Sequence, residues 1–313
     1  MKKSSLIFIS LMSLCLALGG CGSSATQNAS GTSGDAEQTI VNSDENAPMS
    51  EVISEEELRA ILEENVSLLE GQEILTLYDD FDQNGEYEVF AFVGTSPAEG
   101  DDWGVYEGDI WYADQDECIC LDDSYESYYQ VLWCLDFGQR KFACFNRYFA
   151  TESPTKLFSV KNGSVYEDEH SGIGNVYGQD GNQFMISYSA YDVTYDASME
   201  LMLGHSWKPF YYYYDVEKDA ICEVASKEIS QEEAEALLPE DAFSLISERD
   251  GIITTCFLRD NGILSVNYEI TEADGSIHYC NANYDTVGEC YLDAYGLGEN
   301  TLEASDFGGT YEH

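Results

Sequence analysis

Hydrophobic and polar residues follow different patterns in different parts of this chain, and each pattern predicts a different structure. Behind Lys2 and Lys3 runs an apolar stretch, residues 6–18, that ends in small residues before Cys21. From Cys21 to about residue 50 the sequence is rich in Gly, Ser, Thr, Ala and Asn with no apolar period. Such a segment buries too little apolar surface to offset its ordering entropy, and it predicts a flexible tether. At Ile53-Ser54-Glu55-Glu56-Glu57-Leu58 a helical period sets in. Ser54 predicts an N-cap, Glu57 closes a capping box, and Ile53 with Leu58 forms a hydrophobic staple. Leu58, Ile61, Leu62, Val66 and Leu69 continue the stripe, and Gly71 stops it. The same phrase returns at Ile229-Ser230-Gln231-Glu232-Glu233, with Leu237 and Leu238 before Pro239. Duplication and shared capping chemistry explain the echo equally well.

Elsewhere the period is two. Short β-type runs are predicted at 74–78, 89–93, 108–112, 118–121, 128–137 and 141–149, with hairpin signals at Asn162-Gly163 and Asp180-Gly181. Residues 251–284 read as a three-stranded meander divided by Asn261-Gly262 and Asp274-Gly275. In its middle run Leu264, Val266, Tyr268 and Ile270 alternate with Ser265, Asn267 and Glu269, so one face is dry and the other wetter. With two-residue turns, Cys256 would lie opposite Asn267 and Cys280 opposite Glu269, both on the polar face. The fold class is therefore α+β, mainly antiparallel β with two short capped helices.

Charge narrows the partners. The chain has 13 Lys and Arg against 60 Asp and Glu, a formal charge of −47. Nucleic acid is not an expected partner, because a phosphate backbone is bound through a basic patch and the basic residues here are sparse and scattered. The acidic excess favours solubility and attracts cations.

The leader carries a resemblance. Positive residues, a short apolar run and Leu18-Gly19-Gly20-Cys21, in that order, resemble the lipobox of bacterial lipoproteins. That resemblance implies removal of residues 1–20 and diacylation of Cys21. It places the chain on the extracytoplasmic face of the cell membrane, with the lipid anchor as its membrane contact. Lipobox, polar tether and acidic β-rich body together resemble the poorly characterised surface lipoproteins of Gram-positive bacteria. The expected organisation is signal peptide 1–20, tether 21–49 and globular region 50–313, with a division near 228. Cys15 would leave with the signal peptide and Cys21 would carry the lipid; the other eight of the ten cysteines remain, an even number that suggests disulfides outside the cytosol. A three-residue loop 138–140 would set Cys134 opposite Cys144, and that pair is the expected bridge. Cys118 and Cys120 sit on a predicted strand rather than in the paired turns of a structural zinc site.

The strongest local motif is Asp80-Phe81-Asp82-Gln83-Asn84-Gly85-Glu86-Tyr87-Glu88. Oxygen side chains at relative positions 1, 3, 5 and 9 converge on a hard cation, Gly85 allows the turn, and Glu86 offers its backbone carbonyl. The loop resembles the DxDxDG calcium loops of integrin-type propeller blades and dockerins, which implies calcium ligands at Asp80, Asp82, Asn84 and Glu88, with Glu86 added through its carbonyl. It departs from the EF-hand in having Ala91 at position 12 and a strand at its exit. The competing reading is an acidic hairpin turn. Histidines 170, 205, 278 and 313 show no ligand spacing, and no GxSxG, P-loop or dinucleotide fingerprint occurs.

The aromatic run Trp207-Lys208-Pro209-Phe210-Tyr211-Tyr212-Tyr213-Tyr214 would, as a strand, send Tyr211 and Tyr213 to one face and Tyr212 and Tyr214 to the other. Core packing with cross-strand pairing is one reading. The other is a surface of Trp207, Tyr211 and Tyr213 on which a glycan or a protein ligand stacks. The function these signals favour is a non-enzymatic, lipid-anchored binding or structural protein with a calcium-stabilised loop. Its rivals are a carboxylate-dependent glycan hydrolase and a transporter-associated solute receptor.

Overall fold

A computed structural model describes residues 52–98, 101, 104–128, 132–148, 153–195, 201–238 and 243–296, all within one compact unit, Ser50–His313. The signal peptide, Cys21 and the tether lie outside the described residues. The fold is α+β and mainly antiparallel β, and the described residues hold two capped helices and a further helical turn.

The strands form four meanders in chain order. The first is β1 (Glu73–Asp79), β2 (Glu88–Thr95), β3 (Tyr106–Ala113) and β4 (Cys118–Ser127), paired in sequence. The second is β5 (Leu132–Asp136), β6 (Lys141–Asn146), β7 (Thr155–Lys161) and β8 (Ser164–Glu167). The third is β9 (Asn175–Asp180), β10 (Gln183–Tyr195), β11 (Leu201–Asp215) and β12 (Ala220–Glu223). The fourth is β13 (Ser226–Ile229), β14 (Ile252–Arg259), β15 (Ile263–Thr271), β16 (Ile277–Asp285) and β17 (Cys290–Gly296). One residue pair, Tyr195 with Ile277, joins the third meander to the fourth edge to edge.

Alternation along each strand turns these meanders into stacked layers. Phe90 and Phe92 of β2 face inward while Val89, Ala91 and Val93 face outward. The inward set, with Phe81, Ile110, Tyr112 and Tyr125, packs on Ala143, Phe145, Phe158 and Val160 of the second layer. The second layer's other face gives Leu135, Phe142, Cys144 and Leu157 to a core shared with Phe184, Ile186, Phe210 and Tyr212 of the third. The third layer's remaining face gives Tyr211, which clusters with Ile263 of the fourth.

Both end layers are covered by a helix. Helix α1 (Glu55–Asn65) lays Leu58 and Leu62 on Val89, Ala91 and Val93. Its capping box is formed: Ser54 Oγ accepts from the Glu57 amide, and the Glu57 carboxylate accepts from the Ser54 amide. Helix α2 (Gln231–Leu237) repeats that box with Ser230 and Glu233. With the turn α3 (Ser244–Ser247) it supplies Ala234 and Ile246 to the fourth layer's outer core. The expected stripe runs past the end of α1. Asn65 returns its side chain to the Ile61 carbonyl, the backbone turns extended at Val66, and Leu69 is exposed.

Turn length corrects two expectations. The 251–284 meander uses three-residue turns, with Gly262 and Gly275 at positive φ and their amides bonded to Arg259 and Glu272 carbonyls. The register moves by one residue, so Cys256 pairs with Val266 and Cys280 with Tyr268, and both thiols enter the apolar face. A one-residue slip flips a side chain to the other face. The β5–β6 hairpin closes between Asp136 and Lys141 through a four-residue loop, because Phe137 is drawn into the core against Phe184 and Tyr214. Cys144 therefore pairs with Trp133, and Cys134 with Ala143. The two sulfurs point to opposite faces, which corrects the expected Cys134–Cys144 bridge. The eight described cysteines are free thiols. Burial pushes Cys134 up to about 12 and Cys144 well above the ordinary thiol range.

Candidate metal loop between the first two layers

The β1–β2 connection carries the acidic motif, and its local chemistry explains its shape. Asp80 accepts from the amides of Asn84 at 3.2 Å and Gly85 at 2.9 Å. Asn84 Oδ1 accepts from the Glu86 amide at 2.6 Å. Asp82 Oδ1 likewise accepts from the Asn84 amide at 3.3 Å, so Asp82 and Asn84 wind the loop into successive Asx turns that Asp80 closes from further back. Gln83 and Gly85 both take positive φ, 57° and 89°, and at Gly85 the absence of a Cβ makes that cheap. Phe81 points the other way, fully buried edge-on against Phe90 at 4.7 Å. The loop is thus pinned to the core by a ring and closed over by carboxylates.

It also clasps the second layer. Asp82 Oδ2 accepts from the Gly163 amide at 3.3 Å, and the Gln83 side-chain amide donates to the Gly138 carbonyl. The Lys141 amide donates to the Phe81 carbonyl at 3.0 Å, and the Lys141 ammonium pairs with Asp79. Two turns and one strand of the second layer therefore hold this single loop of the first.

Glu88 is the residue at which burial and charge collide. It opens β2 opposite Asp79 and is 2 % exposed. Burial pushes its carboxyl up to about 8; the Phe81 amide bonded at 3.1 Å pulls it down, while Asp82, Asp80 and Asp114 push it further up. Asp114, from the β3–β4 turn, is itself held by the Tyr112 hydroxyl at 2.9 Å. The sequence pattern does not include Asp114, which comes from a different turn and is recruited only by the pairing of β2 with β3. A shallow cleft lined by Ile53, Gly85, Glu86, Glu88 and Asp114 opens at this point.

Among the described residues, no three Asp, Glu, His or Cys side chains are gathered as a ready metal cage. The reason is visible in the bonds above: Asp80, Asp82 and Asn84 spend their oxygens on amides. Among the described residues, none of Asp80, Asp82, Glu88 and Asp114 forms an ion pair with Lys or Arg. The donor set is oxygen only and anionic, which fits a hard divalent cation such as calcium and not a soft metal.

The other sites from the sequence are placed separately. Tyr211 is buried under the guanidinium of Arg259, 5.0 Å above its ring, and Tyr213 shares the same face, half-buried. Trp207 lies on β11, its side chain outside the described set. Cys21 lies outside the described residues, among which no helix is long and apolar enough to cross a membrane. Comparison of the sequence with protein-family models and with curated proteins finds no match.

Proposed function

We propose that this chain is a lipid-anchored cell-surface protein, a non-enzymatic binding or structural module whose first two layers are locked together by a calcium ion at Asp80–Glu88. The observation that carries the reading is Glu88, a carboxyl buried beside Asp80, Asp82 and Asp114. Like charges so close inside the protein disfavour one another's ionisation. A divalent cation reverses that sign, turning mutual repulsion into shared attraction. In this reading Asp80, Asp82, Asn84 and Glu88 supply side-chain oxygens and Glu86 its carbonyl. The amides of Asn84, Gly85 and Glu86 exchange part of their side-chain oxygen partners for solvent.

The role of the ion is mechanical. Gln83 and Asp82 already touch the Gly138 and Gly163 turns, so stiffening the loop stiffens the contact between layers. The lipobox at Leu18–Cys21 and the polar tether support the surface location, where calcium is abundant enough to fill a weak site of ~10⁻⁴–10⁻³ M.

The test is a thermal melt of the purified protein with calcium and then with excess chelator, repeated on Asp82→Ala. At a hundredfold excess over its dissociation constant a ligand adds about 2.7 kcal/mol, and a domain of this size should gain roughly 5–10 °C. The gain should vanish in Asp82→Ala. An unchanged melting temperature would return the loop to the status of an acidic turn. The same preparation tests the anchor: Cys21→Ser should release the protein from membranes, and retention would reject acylation at that residue.

A further inference from the structure

We infer that the fourth layer, residues 226–296, opens from the first three as one cooperative unit, along a seam made of its own self-bonded polar residues. Three features of that layer lead to this conclusion.

The first is that its core is private. Ala234, Ile246, Cys256, Leu264, Val266, Tyr268, Ile270, Cys280, Ala282 and Tyr284 form a cluster drawn wholly from residues after β12. The cores at the other two seams each interleave side chains of two layers. Parting the fourth layer from the third leaves this cluster covered by α2 and α3.

The second is the chemistry of the face turned toward the third layer. Phe257, Ile263, Ile277 and Tyr279 share that face with a polar set that is buried all the same: Arg259, Ser265, Asn267, Asn281 and Asn283 are each at most 4 % exposed. Their hydrogen bonds run in one direction across three strands. The Arg259 guanidinium donates to Ser265 Oγ, which donates to Asn283 Oδ1. Asn283 then donates to Asn281 at 2.9 Å, Asn281 to Asn267 at 2.7 Å, and Asn267 to Thr255 at 2.9 Å. Every link lies inside the fourth layer. Buried polar groups are expensive to expose or to cover only when a partner is lost. Here separation loses none of these bonds and lets water reach the remaining lone pairs.

The third is the kind of contact that spans the seam among the described residues. Arg259 rests on the Tyr211 ring, Asn261 donates to Gln183 at 3.1 Å, and Tyr195 pairs with Ile277. The chain crosses at Val224 and Ala225, where Asp260 donates to the Ala225 carbonyl at 2.9 Å. Among the described residues, the apolar cluster at this boundary is Tyr211, Val224 and Ile263 with Met185 and Tyr213 against it, smaller than those at the other two seams. Opening would expose the polar face of the fourth layer and, opposite Arg259, Tyr211 of the third, without melting either side.

Hydrogen exchange read by mass spectrometry on the full-length protein, across low concentrations of denaturant, tests this directly. The first layer is the internal control, since it is also terminal and also helix-covered. Amides of β14, β15 and β16 should exchange at least about tenfold faster than those of β2 and β3, with one shared denaturant dependence, as a sub-global unit does. Equal protection in the two end layers would overturn the inference. Tyr211→Leu keeps bulk on the third layer but removes the ring under Arg259, and it should widen the difference by speeding exchange in the fourth layer alone. A variant that loosened β2 and β14 alike would also overturn it.

Discussion

The first and fourth layers are built alike from outside and unlike from inside. Each ends the stack, and each is covered by a helix that opens with the same Ser-x-x-Glu box. The first layer turns Phe90, Phe92, Tyr112 and Tyr125 toward its neighbour; the fourth turns Arg259, Ser265, Asn267, Asn281 and Asn283. Buried rings have no alternative partner in their own layer that matches the one across the seam. Hydrogen-bonded asparagines already have theirs. Equal burial therefore does not mean equal coupling, and what separates the two seams is where each buried group finds its complement.

The largest expected effect tests that difference. Phe90 is fully buried and packs within 4.7 Å of Phe81 and 6.3 Å of Phe158, so it touches rings of both layers. Phe90→Ala should cost about 3–5 kcal/mol, the range for losing a buried aromatic, and chemical denaturation should show the first three layers losing stability together. Asn281→Ala also empties a buried position, leaving Asn267 and Asn283 short of a partner. Its cost should be about 1–3 kcal/mol and confined to 252–285 by hydrogen exchange. Equal, global losses from both substitutions would erase the contrast between seams.

The two layers also differ in how much of them the sequence discloses. The capping boxes at Ser54 and Ser230 are local, set by side chains three residues apart, and both form as their spacing predicts. Alternation in β15 correctly separates Leu264, Val266 and Tyr268 from Ser265 and Asn267. What it does not disclose is that the polar side is buried, because burial there comes from a neighbouring layer distant in sequence. Cysteine placement fails for a similar reason. Asn-Gly and Asp-Gly are compatible with turns of two or three residues, and one residue decides which face Cys256 and Cys280 join. The acidic loop is legible from 80 to 88, while Asp114 is supplied by strand pairing that no local pattern contains.

A smaller effect, dependent on pH, sharpens the picture of the seam between the first two layers. Without a cation Glu88 has a folded-state pKa near 8, above its ordinary carboxylate value. The folded protein therefore holds a proton that the unfolded chain releases, so stability is greatest below the unfolded pKa and falls as pH rises toward 8. At its steepest this fall is about 1.4 kcal/mol per pH unit for one proton. In chelator, urea titrations between pH 5 and pH 9 should show that decline, and Glu88→Gln should abolish it. With calcium the order reverses: the native carboxylate gains stability at pH 8 and the amide variant does not. A Glu88→Gln protein that keeps the calcium gain would remove Glu88 from the ligand set.

The smallest effect is the most discriminating, because it applies the same change to both end layers. Ser54→Ala and Ser230→Ala each delete one cap hydroxyl at an exposed helix start, with a typical cost of about 1 kcal/mol. Helix α1 lies on a layer whose inner face is locked by rings, so the loss at Ser54 should lower the midpoint of the main unfolding transition. Helix α2 lies on the layer with the polar seam, so the loss at Ser230 should leave that midpoint in place. It should appear instead as faster exchange of β14, the strand that α2 and α3 cover. Identical chemistry would then give a global signal at one end of the stack and a local one at the other. Two equal shifts in the main transition would mean that the fourth layer is coupled as tightly as the first, whatever its seam is made of.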